Sequence, residues 1–166
     1  MKSHDKDIKI IDPMNQLNLF GYRNCFDSFI KLYKKNKLPN VFLLNGPRGM
    51  GKATFAFHFI NYLLSNYEEN KYLINDLKIN QNNISYKLVT KETHPNFFLL
   101  QNNSFDENIK IDQVRNLLKC LNKSTFSRNL KIVMIDNVEY LNINSSNALL
   151  KALEEPSNNT FFFIIH

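Results

Sequence analysis

Gly46-Pro47-Arg48-Gly49-Met50-Gly51-Lys52-Ala53-Thr54 is the stretch whose reading decides the fold. Gly46, Gly51 and Lys52 fit the spacing Gly-x-x-x-x-Gly-Lys-Ser/Thr, the P-loop, in which backbone N–H groups wrap a phosphate and the lysine adds a positive charge. The pattern asks for a hydroxyl next, because that oxygen holds Mg²⁺ beside the β- and γ-phosphates. Ala53 stands there instead. Thr54 comes one residue late, about 100° further round a helix, and is not expected to reach the same metal. The loop reads as built to receive a nucleoside triphosphate and poorly built to hydrolyse it.

The flanks agree. Val41-Phe42-Leu43-Leu44 is an apolar run long enough for a buried strand. Behind the loop, Phe55, Ala56, Phe59, Ile60, Leu63 and Leu64 recur at helical spacing and predict one apolar face. Strand, glycine loop and helix together aim free N–H groups and the helix dipole at an anion. The competing reading, a plain left-handed turn beside a solvated lysine, accounts for the loop but not for both flanks.

The bulk properties set bounds. The chain has 166 residues, enough for one α/β core, and a net charge of +6 that permits contact with nucleic acid without requiring it. No apolar run approaches the ~18 residues of a membrane span. Cys25 and Cys120 offer neither a disulfide framework nor a paired metal motif. A reduced cytoplasmic protein with no membrane partner is expected.

Outward from the loop, residues 1–17 read as a polar N-terminal arm ending near Pro13, and 18–166 as one nucleotide-binding domain. Phe26, Phe29, Ile30 and Tyr33 mark an amphipathic helix with Lys31, Lys34 and Lys35 outside, more simply a solvated face than a DNA contact. Residues 65–93 are Asn-rich with weak periodicity and read as a helix end plus an irregular insert. Phe97-Phe98-Leu99-Leu100 and Ile132-Val133-Met134-Ile135 are a second and a third strand. Ile111, Val114, Leu117, Leu118 and Leu121 form the helical stripe between them, entered near Asp112. A last helix carries Ala148, Leu149, Leu150 and Leu153 and stops before Pro156. Phe161-Phe162-Phe163-Ile164-Ile165 is the fourth strand. Strands alternating with helices predict a three-layer α/β core on a mostly parallel sheet.

Asp136, at the end of the third strand, occupies the place of a metal-side aspartate. Asn137 follows it where hydrolysing members of the class carry a glutamate, and an amide is no general base. Glu139 is expected to point elsewhere. The metal hydroxyl and the base are thus both missing. The candidate nucleotide-binding set is Gly46, Pro47, Arg48, Gly49, Met50, Gly51, Lys52, Ala53, Thr54 and Asp136, with no catalytic residue assigned. ATP is the candidate ligand and the role of Mg²⁺ is left open. His94 reads as a loop residue before Pro95.

Asn147-Ala148-Leu149-Leu150-Lys151, leading to Leu153-Glu154-Glu155-Pro156, resembles the signature of AAA+ subunits of bacterial clamp loaders. Leu38-Pro39-Asn40, His94-Pro95-Asn96 and Ile111-Asp112-Gln113-Val114-Arg115 resemble the delta-prime subunits of DNA polymerase III in particular. The resemblance runs from about Leu19 to His166. It implies a P-loop AAA+ core and a non-motor role in a ring with gamma/tau and delta subunits. That ring opens a sliding clamp and places it on primed DNA. It also implies that Leu19, Phe20 and Gly21 lie near the adenine, although Leu19 and Phe20 serve equally as core.

The family's polar sensor would fall near Ile165, a departure. Its Ser-Arg-Cys motif, lid and collar would follow the fourth strand, so the chain is expected to be a fragment truncated there. The alternative, an active gamma/tau-like ATPase, normally shows Lys-Thr or Lys-Ser, Asp-Glu and a four-cysteine zinc module. Here the corresponding residues are Lys52-Ala53 and Asp136-Asn137, with no cysteine between 26 and 119, so zinc is not expected. A small-molecule kinase on the same loop does not explain the Asn147–Lys151 signature.

Overall fold

The computed structural model describes residues 11–102, 104, 107–122, 130–157 and 159–166; the first ten residues of the expected arm lie outside them. Four strands, β1 (Val41–Leu44), β2 (Phe97–Leu100), β3 (Lys131–Ile135) and β4 (Thr160–Ile165), form a single sheet in the order β1-β4-β3-β2. Every neighbouring pair is parallel. A parallel pair cannot be closed by a hairpin, so each connection must cross a face of the sheet, and here the crossovers carry helices. They are α2 (Lys52–Ser65), α3 (Ile84–Val89), α4 (Ile111–Leu121) and α5 (Ile143–Glu154), with α1 (Arg23–Lys34) preceding the sheet.

Side-chain alternation sorts the strands onto two cores. Ile132 and Met134 of β3, with Phe161, Phe163 and Ile165 of β4, face a layer containing residues of α1 and α2. Val133, Ile135, Phe162 and Ile164 face the opposite layer, with Val114 and Leu117 of α4 and Leu149 of α5. Both faces of β3 and β4 are covered, which is why these strands read as unbroken apolar runs. On β1 the burial is one-sided, and Leu43 remains 63% exposed.

α2 departs from the expected single apolar face. Every residue from Phe55 to Ser65 is buried. Its far side is covered by chain the periodicity did not place: Met14 and Leu17 from the expected arm, and Tyr72, Leu77, Ile79 and Val89 from the expected insert. Two backbone hydrogen bonds join these covers, Leu19 N–H to Leu77 O at 2.9 Å and Ile79 N–H to Leu17 O at 2.9 Å. The arm therefore packs on the domain from Met14 onward. Much of the insert has irregular backbone, yet it is seated in the core and contains α3.

Polar side chains hold the insert in place. His58, Asn61 and Ser65, on one stripe of α2, are buried. His58 Nδ1 meets the Tyr72 hydroxyl at 2.8 Å and its Nε2 meets the Gln16 carbonyl at 3.1 Å. A carbonyl only accepts, so Nε2 carries the proton and Nδ1 accepts from Tyr72. Asn61 donates to Asn83 Oδ1 (3.1 Å), Asn83 donates to Asn70 O (2.9 Å), and Ser65 Oγ accepts from Tyr72 N–H (3.1 Å). Glu68 accepts from Ile84 N–H at 2.7 Å and Ser85 N–H at 3.0 Å, closing the first turn of α3. Among the described residues no helix is long and apolar enough to cross a membrane.

Burial drives the His58 pKa from 6.5 down to about 4, against an opposing effect of the Gln16 contact. An unfolded chain takes up a proton here as pH falls below 6.5, and the folded chain does not. Stability present above pH 6.5 is therefore lost as pH drops toward 4. Denaturant melts between pH 7 and 5 should show a falling midpoint in the native protein. The slope should be shallower in His58→Gln, and equal slopes would show that His58 is not the group responsible.

Candidate functional site

β1 ends at Leu44, and the chain turns through Asn45 and the glycine loop into α2. The turn needs left-handed backbone at two points, Gly49 (φ +86°) and Gly51 (φ +82°), which glycine adopts without a Cβ penalty. Gly51 is the N-cap of α2, and it supplies no capping side chain. Between described residues, the N–H groups of Gly49, Gly51, Lys52, Ala53 and Thr54 donate to no backbone carbonyl. A helix N-terminus with open donors and a positive dipole end is an anion site in waiting. Lys52 Nζ donates to the carbonyls of Gly46 (2.5 Å) and Pro47 (3.0 Å), folding over the loop it would share with a phosphate.

A cavity of about 780 Å³ opens beside this loop, at the carboxyl ends of the four strands. Asn45, Gly46, Pro47, Arg48 and Lys52 form one wall. Asn102 and Ser104 follow β2, Asn137, Glu139 and Tyr140 follow β3, and Ile165 and His166 end β4. The carboxyl edge of a parallel sheet is where α/β folds bind ligands, because the loops there diverge.

The expected site residues divide. Gly46, Pro47, Arg48 and Lys52 line the cavity; Gly49, Met50 and Gly51 shape the loop behind them. Ala53 packs against the hydrophobic core, so a methyl group stands where the metal hydroxyl would. Thr54 does not line the cavity, as its angular offset predicts. Asp136 lines a neighbouring small pocket with Asp12, Phe57, Glu92 and Gln101, within electrostatic reach of Lys52 and Glu139 on the cavity wall. Its carboxyl is pushed above the ordinary range, first by burial, then by Glu139 and Asp12. The Asn137 N–H and Lys52 act the other way.

One expectation changes. Glu139 does not point elsewhere: Asn137 takes a left-handed conformation (φ +57°, ψ +62°) and the 3-10 turn Val138–Tyr140 returns Glu139 to the cavity wall. Ile165 is apolar, in keeping with its departure from the family pattern, and beside it His166 lines the cavity with its Nδ1 3.2 Å from Asn45 Oδ1. Of the segment expected near the adenine, Leu19 is core (5% exposed) and Phe20 is 80% exposed. The cavity-lining Asn45, Asn102, Ser104, Tyr140 and His166 carry no motif. The signal that could have found them is position alone, just past the carboxyl end of each strand.

Residues 21–166 match the protein family described as DNA polymerase III, delta subunit. The chain belongs to this family. Relatives named DNA polymerase III subunit delta' agree. The one from Pseudomonas aeruginosa is 33% identical over 76% of this chain and 37% of its own length. That from Escherichia coli K12 is 25% identical over 86% and 41% respectively. That from Buchnera aphidicola subsp. Schizaphis graminum is 26% identical over 84% and 40%. This chain thus spans about two fifths of the length of these relatives. A solved structure of a gamma subunit-related protein of DNA polymerase III from Thermotoga maritima is 30% identical over 43% of this chain and 23% of its own. Its TM-score is 0.39, too low for a shared fold to be read from it.

The residues of this family member suit a phosphate better than a metal ion. Open N–H donors, left-handed glycines and Lys52 fit an anion. Ala53, partly buried against the core, brings no hydroxyl for Mg²⁺, and Asp136 lines a neighbouring pocket. Asp136 is instead a stability cost at neutral pH. With its pKa raised on folding, ionisation is harder in the folded chain, and the penalty is relieved as pH falls through the folded value. Asp136→Asn should melt higher than the native protein at pH 7.5, with the gain shrinking toward pH 4. An unchanged or lower melting temperature at pH 7.5 would show that the carboxylate is stabilised in place.

Proposed function

We propose that this chain is the nucleotide-binding domain of a clamp-loader delta-prime subunit. In this reading it is a non-motor member of the ring that places a sliding clamp on primed DNA. Gamma/tau and delta subunits are its expected neighbours and the cytoplasm its expected location. The observation that carries the non-motor assignment is the Ala53 methyl, partly buried against the core, at the motif position of the metal hydroxyl. Asn137 beside Asp136 supports it from a second strand end. Family membership and relatives named as delta-prime support the assembly role.

In this role the phosphate loop holds the triphosphate of ATP without turning it over. Lys52 swings from the Gly46 and Pro47 carbonyls to the ligand, and the first-turn N–H groups of α2 bind its oxygens. Nucleotide then contributes to domain rigidity rather than to a power stroke.

Titration calorimetry of the native full-length polypeptide with ATP, with and without Mg²⁺, should give binding that depends little on the metal. Lys52→Ala should weaken it by about tenfold or more, the loss of a charge-assisted contact. Turnover should stay at background in the native protein and rise only when Ala53→Thr is combined with Asn137→Glu. Substantial Mg²⁺-dependent turnover in the native protein would sink the non-motor reading in favour of a gamma/tau-like ATPase.

A further inference from the structure

We propose that Tyr22 is a positioning residue for the phosphate loop. Its hydroxyl donates to the Met50 carbonyl at 2.5 Å and so fixes which side of the Met50–Gly51 peptide faces an incoming polyphosphate. The ligand class is that of the nucleotide reading above, on which this role rests.

The tyrosine is anchored on three sides. It is the N-cap of α1, where its carbonyl accepts from Phe26 N–H at 2.9 Å. Its ring packs on Phe55, with centroids 5.2 Å apart and planes tilted by 43°. Phe55 belongs to the first turn of α2 and is itself held edge-on by Phe26 at 6.0 Å. On the loop side, a Cβ built on Gly51 would come within 3.7 Å of Tyr22 Cε2. The ring thus occupies the space between the buried start of α2 and the loop, with its hydroxyl directed at one carbonyl.

Peptide geometry turns that hydrogen bond into a constraint on the loop. The Met50–Gly51 bond is trans, so holding the carbonyl toward Tyr22 directs the Gly51 N–H the opposite way. That N–H donates to no described backbone carbonyl. A peptide followed by glycine flips at little steric cost, because Gly51 adopts φ of either sign. The flipped loop would offer a carbonyl oxygen where it now offers a donor, and would repel a phosphate. Within the loop, the tyrosine hydroxyl is the described side chain that bonds to this carbonyl. It also couples α1 to the site, although Tyr22 lines no part of the cavity.

Tyr22→Phe keeps the ring and its packing and removes only the donor. In the native full-length polypeptide without nucleotide, the Gly51 amide resonance should shift and broaden in the variant, as the Met50–Gly51 peptide samples both orientations. The melting temperature should move little. Affinities for ADP and for inorganic pyrophosphate should fall by about tenfold, the scale of one lost hydrogen bond, because both need the loop donors. An unchanged Gly51 resonance would overturn the role, as would a shifted one with unaltered ADP and pyrophosphate binding. A native protein that binds neither ligand would defeat the nucleotide reading itself. The Gly51 resonance alone would then decide whether Tyr22 holds the loop.

Discussion

A helix buried at every residue from Phe55 to Ser65 is the constraint around which this domain is arranged. α2 cannot shift, rotate or fray without opening the core, because the sheet lies on one side of it and the insert and N-terminal segment on the other. Its first turn carries the glycine loop, so the loop inherits that rigidity. A phosphate site needs donors already aimed before the ligand arrives, since ordering a loop at the moment of binding costs affinity. The burial of α2 supplies that ordering from behind.

Complete burial brings a polar problem, and the insert and N-terminal segment answer most of it, leaving Asn61 Oδ1 buried without a partner. His58, Asn61 and Ser65 would each be costly in an apolar layer without partners. Tyr72, Asn83 and the Gln16 carbonyl supply them. Asparagine suits this work because one side chain both donates and accepts, letting Asn83 join Asn61, Asn70 and Tyr86 at once. An Asn-rich segment that looks low in information is thus the clasp that keeps the far side of α2 dry.

At the cavity the same economy of motion separates binding from turnover. The elements that would hold phosphate are backbone donors and one lysine, set by loop geometry. The elements that would hold metal and activate water are single side chains at chosen points, Ala53 and Asn137 here, with Asp136 in a neighbouring pocket. Glu139 brings a carboxylate to the cavity wall, yet with no hydroxyl at 53 the metal that would order a water beside it has no ligand there.

The glycine loop between strand and helix, the four strands, the helices around them and the parallel architecture were legible in the residues. Each rests on a local rule: a spacing of glycines and lysine, a period of two or of 3.6, a proline that stops a helix. That Ala53 and Asn137 stand at the motif's hydroxyl and base positions was likewise legible, being a matter of residue type alone. The order β1-β4-β3-β2, the burial of α2 on all sides and the packing of the insert were not, since each depends on residues far apart in the chain meeting across a face. The same holds for Glu139, His166 and Tyr22, which lie near the loop only after Asn137 turns left-handed, β4 inserts beside β1, and α1 packs on Phe55. Sequence by itself determined what this site is made of. Tertiary structure decided which groups face it, because direction in space is fixed by packing between elements and not by the order of residues within them.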